Sequence, residues 1–120
     1  MVTFIKSPSI IEAAGNKPKI IEEFIGRINS KTEVVSIAKM KSPGGWEEPA
    51  QTPEFEEFTI VLKGKLKIET RDGSYDINEG EAVIAHKNER IKYSSPDPCG
   101  AEYIAVCIPA FSPDASHRDE

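Results

Sequence analysis

At 120 residues with 38% apolar side chains, the chain is long enough to bury one compact core and too short for two. A formal charge of -5 and a pI near 5.1 weigh against nucleic acid or an anionic membrane surface as partner, because phosphate binding draws on clustered Lys and Arg. No apolar run approaches the ~20 residues of a membrane helix, and MVTFIKSPS lacks the basic-then-apolar order of a signal peptide, so the expectation is a cytoplasmic, single-domain protein.

In chain order, MVTFIKSPSII has the apolar character of an arm, and PKIIEEFIGRIN then places Ile20, Ile21, Phe24, Ile25 and Ile28 on one helical face. Pro18 suits a first turn and Asn16 a cap, which predicts a short amphipathic α-helix within an N-terminal region over 1–30. From Thr32 the texture changes to short β-rich runs, TEVVSIAKM, FTIVL, KLKIET, SYDI, AVIA, RIKYS and AEYIAVCI, separated by Gly, Pro, Asp and Asn. Seven such runs over about 32–110 predict an all-β barrel or sandwich. KGK at Lys63–Lys65, RDG at Arg71–Gly73 and NEG at Asn78–Gly80 read as tight connections, each with a glycine free to take positive φ. The polar end, residues 111–120, reads as a surface tail. Cys99 and Cys107 flank a predicted strand without a metal or redox spacing and read as two free thiols.

The stretch GGWEEPAQTPEFEEFTIVLKG carries the frame G-x5-Q-x-P-x3-E-x6-G from Gly45 to Gly64, which resembles the first motif of the cupin superfamily. In metal-binding cupins that motif bears two histidines and a glutamate; here the histidine positions hold Gln51 and Pro53, and Glu57 keeps the glutamate. The second motif, laid over Gly80 to Ser95, meets His86, Asn88, Ile91 and Ser95, with Ile91 where the metal-binding histidine would stand. GEAVIAHKNERIKYSSPD is also similar to the cupin of ethanolamine utilisation. The resemblance covers roughly Val34 to Pro109 and implies a double-stranded β-helix, the conical cupin or jelly-roll barrel of RmlC-like proteins, behind the short N-terminal helix. It also implies a homodimer, joined through a sheet edge or an exchanged N-terminal strand.

Imidazole is what gives Fe, Mn, Ni or Cu their grip in such a site, so no cofactor is expected. A divalent transition metal would need a rearranged set of Glu57, Gln51, His86 and His117, and either histidine reads more simply as a solvated surface residue. Without metal, Glu57 is the candidate general base, since an apolar wall raises a carboxyl pKa. Alternation places Thr59 and Val61 on its face, and Ile91, Tyr93 and Ser95 on one face of their run, so Tyr93 is a candidate donor or proton relay beside Glu57. On the last run two parities stay open: Glu102, Ile104 and Val106 inward, or Tyr103, Ala105 and Cys107. Trp46 covers the barrel end or lines the ligand entrance. Glu47, Glu48, Glu54 and Glu56 ring the mouth and would repel anions unless Lys63, Lys65, Lys87, Arg90 or Lys92 lie near. The expected function is binding of a small polar metabolite in the barrel mouth through Glu57, Gln51, Tyr93, Thr59, Trp46 and His86. The alternatives are an isomerase or lyase working through Glu57 and Tyr93, or an accessory barrel of ethanolamine-utilisation type.

Overall fold

A computed structural model describes residues 1–119. Nine strands follow one another as β1 (Ser9–Ile11), β2 (Ile20–Ile25), β3 (Ser36–Ser42), β4 (Trp46–Glu47), β5 (Glu56–Thr70), β6 (Gly73–Asn78), β7 (Ala82–Ala85), β8 (Lys92–Ser95) and β9 (Ala101–Ile108), before one helical turn, α1 (Pro113–Ser116). All pairings between them are antiparallel, in the order β1-β2-β3-β9-β5-β8-β4, with β6 and β7 also on β5. No helix among the described residues is long and apolar enough to cross a membrane.

The long strand β5 belongs to both walls of the barrel. Its first half pairs with β7 and β9, and its second half with β6 and β8. The change happens at Gly64, so KGK is a corner within one strand where a hairpin was expected. Gly64 takes φ +76°, the register against β9 shifts between Val61 and Lys63, and a Cβ at Gly64 would stand 2.1 Å from the Gly100 carbonyl oxygen. Such a bend between sheets needs a residue free of side-chain sterics. The RDG expectation holds, with Thr70 opposite Gly73, and NEG turns β6 into β7.

The predicted N-terminal helix is replaced by β2. IIEEFI is bonded on both sides, to β1 and to β3, so its backbone groups are satisfied by neighbours rather than by a helical ladder. Its apolar doublets fit either period, and in the strand alternation turns Glu23 inward. Its buried carboxylate accepts hydrogen bonds from the backbone N–H groups of Ile28 and Asn29 at 3.0 and 2.8 Å, tying the following turn to the strand. The sheet therefore begins at Ser9, before the expected start of the barrel. Residues 111–119 pack rather than trail. Phe111 meets the Phe55 ring edge-on at 5.8 Å between centroids, Ser116 is buried, Arg118 forms a bridge with Gln51, and the Asp119 N–H donates to the Ala50 carbonyl.

The inward residues divide the barrel in two. Trp46, Val61, Leu66, Ile68, Ile77 and Ile91 fill one half as a continuous apolar cluster. In the other half the inward positions of β3 and β9 are small, Ser36, Ala38, Ala105 and Cys107, and they leave a cavity. Tyr93 and Tyr103 stand on the boundary, belonging to both. The open parity of the last strand is thereby settled: Tyr103, Ala105 and Cys107 face inward, and Glu102, Ile104 and Val106 face out.

Candidate functional site

The cavity has an interior volume of about 60 Å³ and opens to solvent at its mouth. Glu57 reaches it from β5, opposite Cys107 of β9, and Tyr93 reaches it from β8. The Tyr93 hydroxyl donates to Glu57 Oε1 at 3.1 Å, and both side chains are buried. Burial, and next the neighbouring Glu48 carboxylate, push the Glu57 pKa up to about 7 against the opposing pull of Lys19, the Tyr93 hydrogen bond and Arg118. Burial together with Glu57 also pushes the Tyr93 phenol up, so it stays protonated and donates. The Cys107 thiol is raised by burial and by Glu57, and both cysteines are free. Such a thiol is a wall of the site rather than a nucleophile.

Gln51 comes from the segment between β4 and β5, held by paired backbone hydrogen bonds to Ile91 on one side and bridged to Arg118 on the other. Its side chain lines the cavity, and its buried Oε1 finds no hydrogen-bond partner among the described residues.

The other expected site residues lie apart from this group. Thr59 faces inward and is buried, but sits behind the cavity lining with Oγ1 unpartnered among the described residues. Trp46 is fully buried in the apolar half, where its Nε1 donates to the Ala14 carbonyl at 3.1 Å, so it covers the barrel end and does not line the entrance. His86 is exposed and pairs through Nδ1 with Glu56 Oε1 at 3.0 Å, and His117 is exposed and pairs with Glu54. Neither histidine lines the cavity, so a rearranged metal site including them is not assembled. At the superfamily's own ligand positions, Pro53 and Ile91 are buried and carry no donor atom, leaving an amide and a hydrogen-bonded carboxyl. That donor set does not fit an imidazole-bound transition metal.

Two cavity residues, Lys19 and Arg118, escaped the sequence reading, and a third, Glu48, was read only as one of the acidic residues around the mouth. Lys19 enters from the connection between β1 and β2, with Nζ 4.1 Å from the centroid of the Trp46 ring and 5.1 Å from that of Tyr103. Arg118 enters from the C-terminal segment, its Nη2 3.8 Å from Glu48 Oε2. Glu48 alone of the acidic ring turns fully inward; burial raises its pKa, and Lys19 and Arg118 oppose the rise. Lys92, expected among the cations near the acidic ring, pairs with Glu47 at 3.6 Å. The only sequence signal for Glu48 was its alternation with Trp46, and for Lys19 and Arg118 there was none, because their places depend on where the chain ends fold.

No protein-family profile matches the sequence. The chain is 40% identical over 101 residues to the protein named endoribonuclease YbeY of Myxococcus xanthus, covering 84% of the chain and 34% of that protein. It thus spans about a third of the relative's length. Among solved structures it resembles an RmlC-like cupin from Shewanella frigidimarina, with a TM-score of 0.71, 13% identity, and coverage of 90% of this chain and 89% of that one. It also resembles a putative ethanolamine utilization protein from Salmonella typhimurium, with a TM-score of 0.67, 14% identity, and coverage of 87% and 97%. The likeness lies in the fold of the curled antiparallel sheet. The chain therefore has the fold of these cupin structures, a double-stranded β-helix, and its mouth is furnished with carboxyl, phenol, amide and cationic side chains.

Proposed function

We propose that the protein binds a small polar metabolite in the barrel mouth, through Glu57, Tyr93 and Gln51 and without the superfamily's histidine-bound metal. The observation that carries this reading is the buried Glu57–Tyr93 hydrogen bond, made on the wall of a cavity that also presents an amide oxygen without a partner among the described residues. Buried polar groups without partners cost stability, and a ligand supplying the missing partners repays that cost. To test it, the protein is equilibrated with a mixture of small water-soluble metabolites, separated from free solute, and the retained species identified by mass. Retention of a discrete species by the wild type and its loss in Glu57→Gln and Tyr93→Phe is expected. Equal retention by all three proteins would place binding elsewhere.

A second reading, acid/base catalysis of isomerase or lyase type, is favoured by one observation: the Glu57 pKa of about 7 suits a group that gives and takes a proton near neutrality. If it is right, the retained species exchanges a carbon-bound proton for deuterium from solvent in the wild type and not in Glu57→Gln. The similarity to one third of a longer protein supports a third reading, in which such a barrel serves as an accessory module beside other chemistry. The net charge of -5 favours a small-molecule role over RNA contact for the barrel itself.

A homodimer is part of the same proposal. On the outer face of the sheet Ile25, Ile37, Val106, Phe58 and Ile84 stand in register as one apolar row across five strands, and Ile60 and Ile104 adjoin it. Ile84 and Ile60 are half exposed, and Val2 and Phe4 of the N-terminal arm are largely exposed. A face and an arm of this kind suit a self-complementary contact.

A further inference from the structure

Gln51 and Arg118 are directly opposed in an antiparallel bridge, so their side chains rise from the same spot of the cavity wall. Each has a buried polar atom with no partner among the described residues, an acceptor in Gln51 Oε1 and a donor in Arg118 Nε. The two are neighbours in the backbone pairing and yet do not satisfy one another. A group that meets both must offer an acceptor and a donor side by side.

The surrounding charge narrows the choice. Lys19 and Arg118 are the cations of the cavity. Of its carboxyls, Glu23 is committed to the turn at Ile28 and Asn29, Glu12 is exposed at the rim, and Glu57 holds the Tyr93 hydrogen bond. Glu48 lies 3.8 Å from Arg118 Nη2, and that contact leaves Arg118 Nε without a partner among the described residues, a charged donor open to the cavity. Phe55, Phe111, Ile11, Ile21 and Met40 supply an apolar wall beside them.

We propose that the ligand of this mouth is a small 2-hydroxy carboxylate with an apolar substituent, its carboxylate taken by Arg118 and Lys19 and its hydroxyl donated to Gln51. The inference rests on the reading of the mouth as a metabolite site, and deepens it by naming what is read there. Arg118 is then the residue that selects for the anion, and Gln51 the one that selects for the hydroxyl. A carboxylate accepts from a guanidinium Nε–H in the charge-assisted geometry that Arg favours, while the adjacent hydroxyl is the donor an amide oxygen lacks.

The experiment is a calorimetric titration of the full chain with three probes of one shape: mandelate, mandelamide without the charge, and phenylacetate without the hydroxyl. The wild type is expected to bind mandelate about tenfold or more tightly than either of the others, the size of one charge-assisted or buried hydrogen bond. Arg118→Met is expected to erase the preference over mandelamide only, and Gln51→Leu the preference over phenylacetate only. Arg118→Lys keeps the charge without the Nε donor and serves where Arg118→Met does not fold; it is expected to keep part of the preference over mandelamide. Binding of mandelamide as tight as that of mandelate overturns the inference and leaves the metabolite site standing. Failure of all three probes to bind overturns the inference too, and the metabolite-retention experiment then decides the site independently.

Discussion

Glu57 shows how a single residue carries stability and chemistry at once. A carboxyl held at about 7 in the fold and at 4.5 when exposed binds its proton more tightly in the folded state. Its contribution is therefore fully present below pH 4.5 and is lost as pH rises through 7, since the folded state binds more protons than the unfolded one across that window. The loss is on the order of 3 kcal/mol. Glu57→Gln keeps an acceptor for the Tyr93 hydroxyl and removes the titration. Denaturant unfolding at pH 8 should show this variant more stable than wild type, with the gap closing toward pH 5; a gap that stays constant with pH would contradict the assignment. Glu57, Tyr93 and Gln51 were legible in the sequence because strand alternation and the motif frame fix their facing. Thr59 was legible in facing and misjudged in depth: the strand puts it inward, and the position of the cavity along the strand is decided by small residues on β3 and β9.

At the level of elements, strands with β-branched alternation were readable from Thr32 onward, while β2 was hidden by apolar doublets that satisfy two periods. What settled β2 was pairing on both edges, information that lies in β1 and β3 rather than in IIEEFI itself. Gly64 was seen as a turn for the right steric reason and given the wrong geometry, since a positive-φ glycine serves a corner as well as a hairpin. The corner yields a sharp prediction. Gly64→Ala adds a strained backbone to a Cβ 2.1 Å from the Gly100 oxygen, and is expected to cost at least about 2 kcal/mol in equilibrium unfolding. Gly73→Ala, at a position with open space around a Cβ and φ +143°, should lose less. An equal loss at both sites would show that backbone strain alone, and not the close approach of the two sheets, sets the cost.

For the molecule as a whole, the apolar row on the outer sheet makes association measurable. Light scattering coupled to size exclusion is expected to give twice the monomer mass, and Phe58→Glu with Ile84→Lys to return the monomer with its secondary structure intact; a wild-type monomer across micromolar concentrations would refute the pairing. The barrel was legible in the sequence because most of its strands from Thr32 onward are β-rich runs set off by turn residues, although their pairing order was not. The furnishing of its mouth was not, because two of its charges arrive from outside the strands. One consequence reaches beyond binding. Glu48 stands 3.8 Å from Arg118, near the end of the chain, and shares the cavity wall with Lys19, near its start, so the two extremities meet around one carboxyl. Coupling of that kind is reciprocal: loosening either extremity weakens the hold on the other by the same free energy. Amide exchange in β1 and β2 should then quicken when the chain is cut after Phe111, although the cut lies almost ninety positions away.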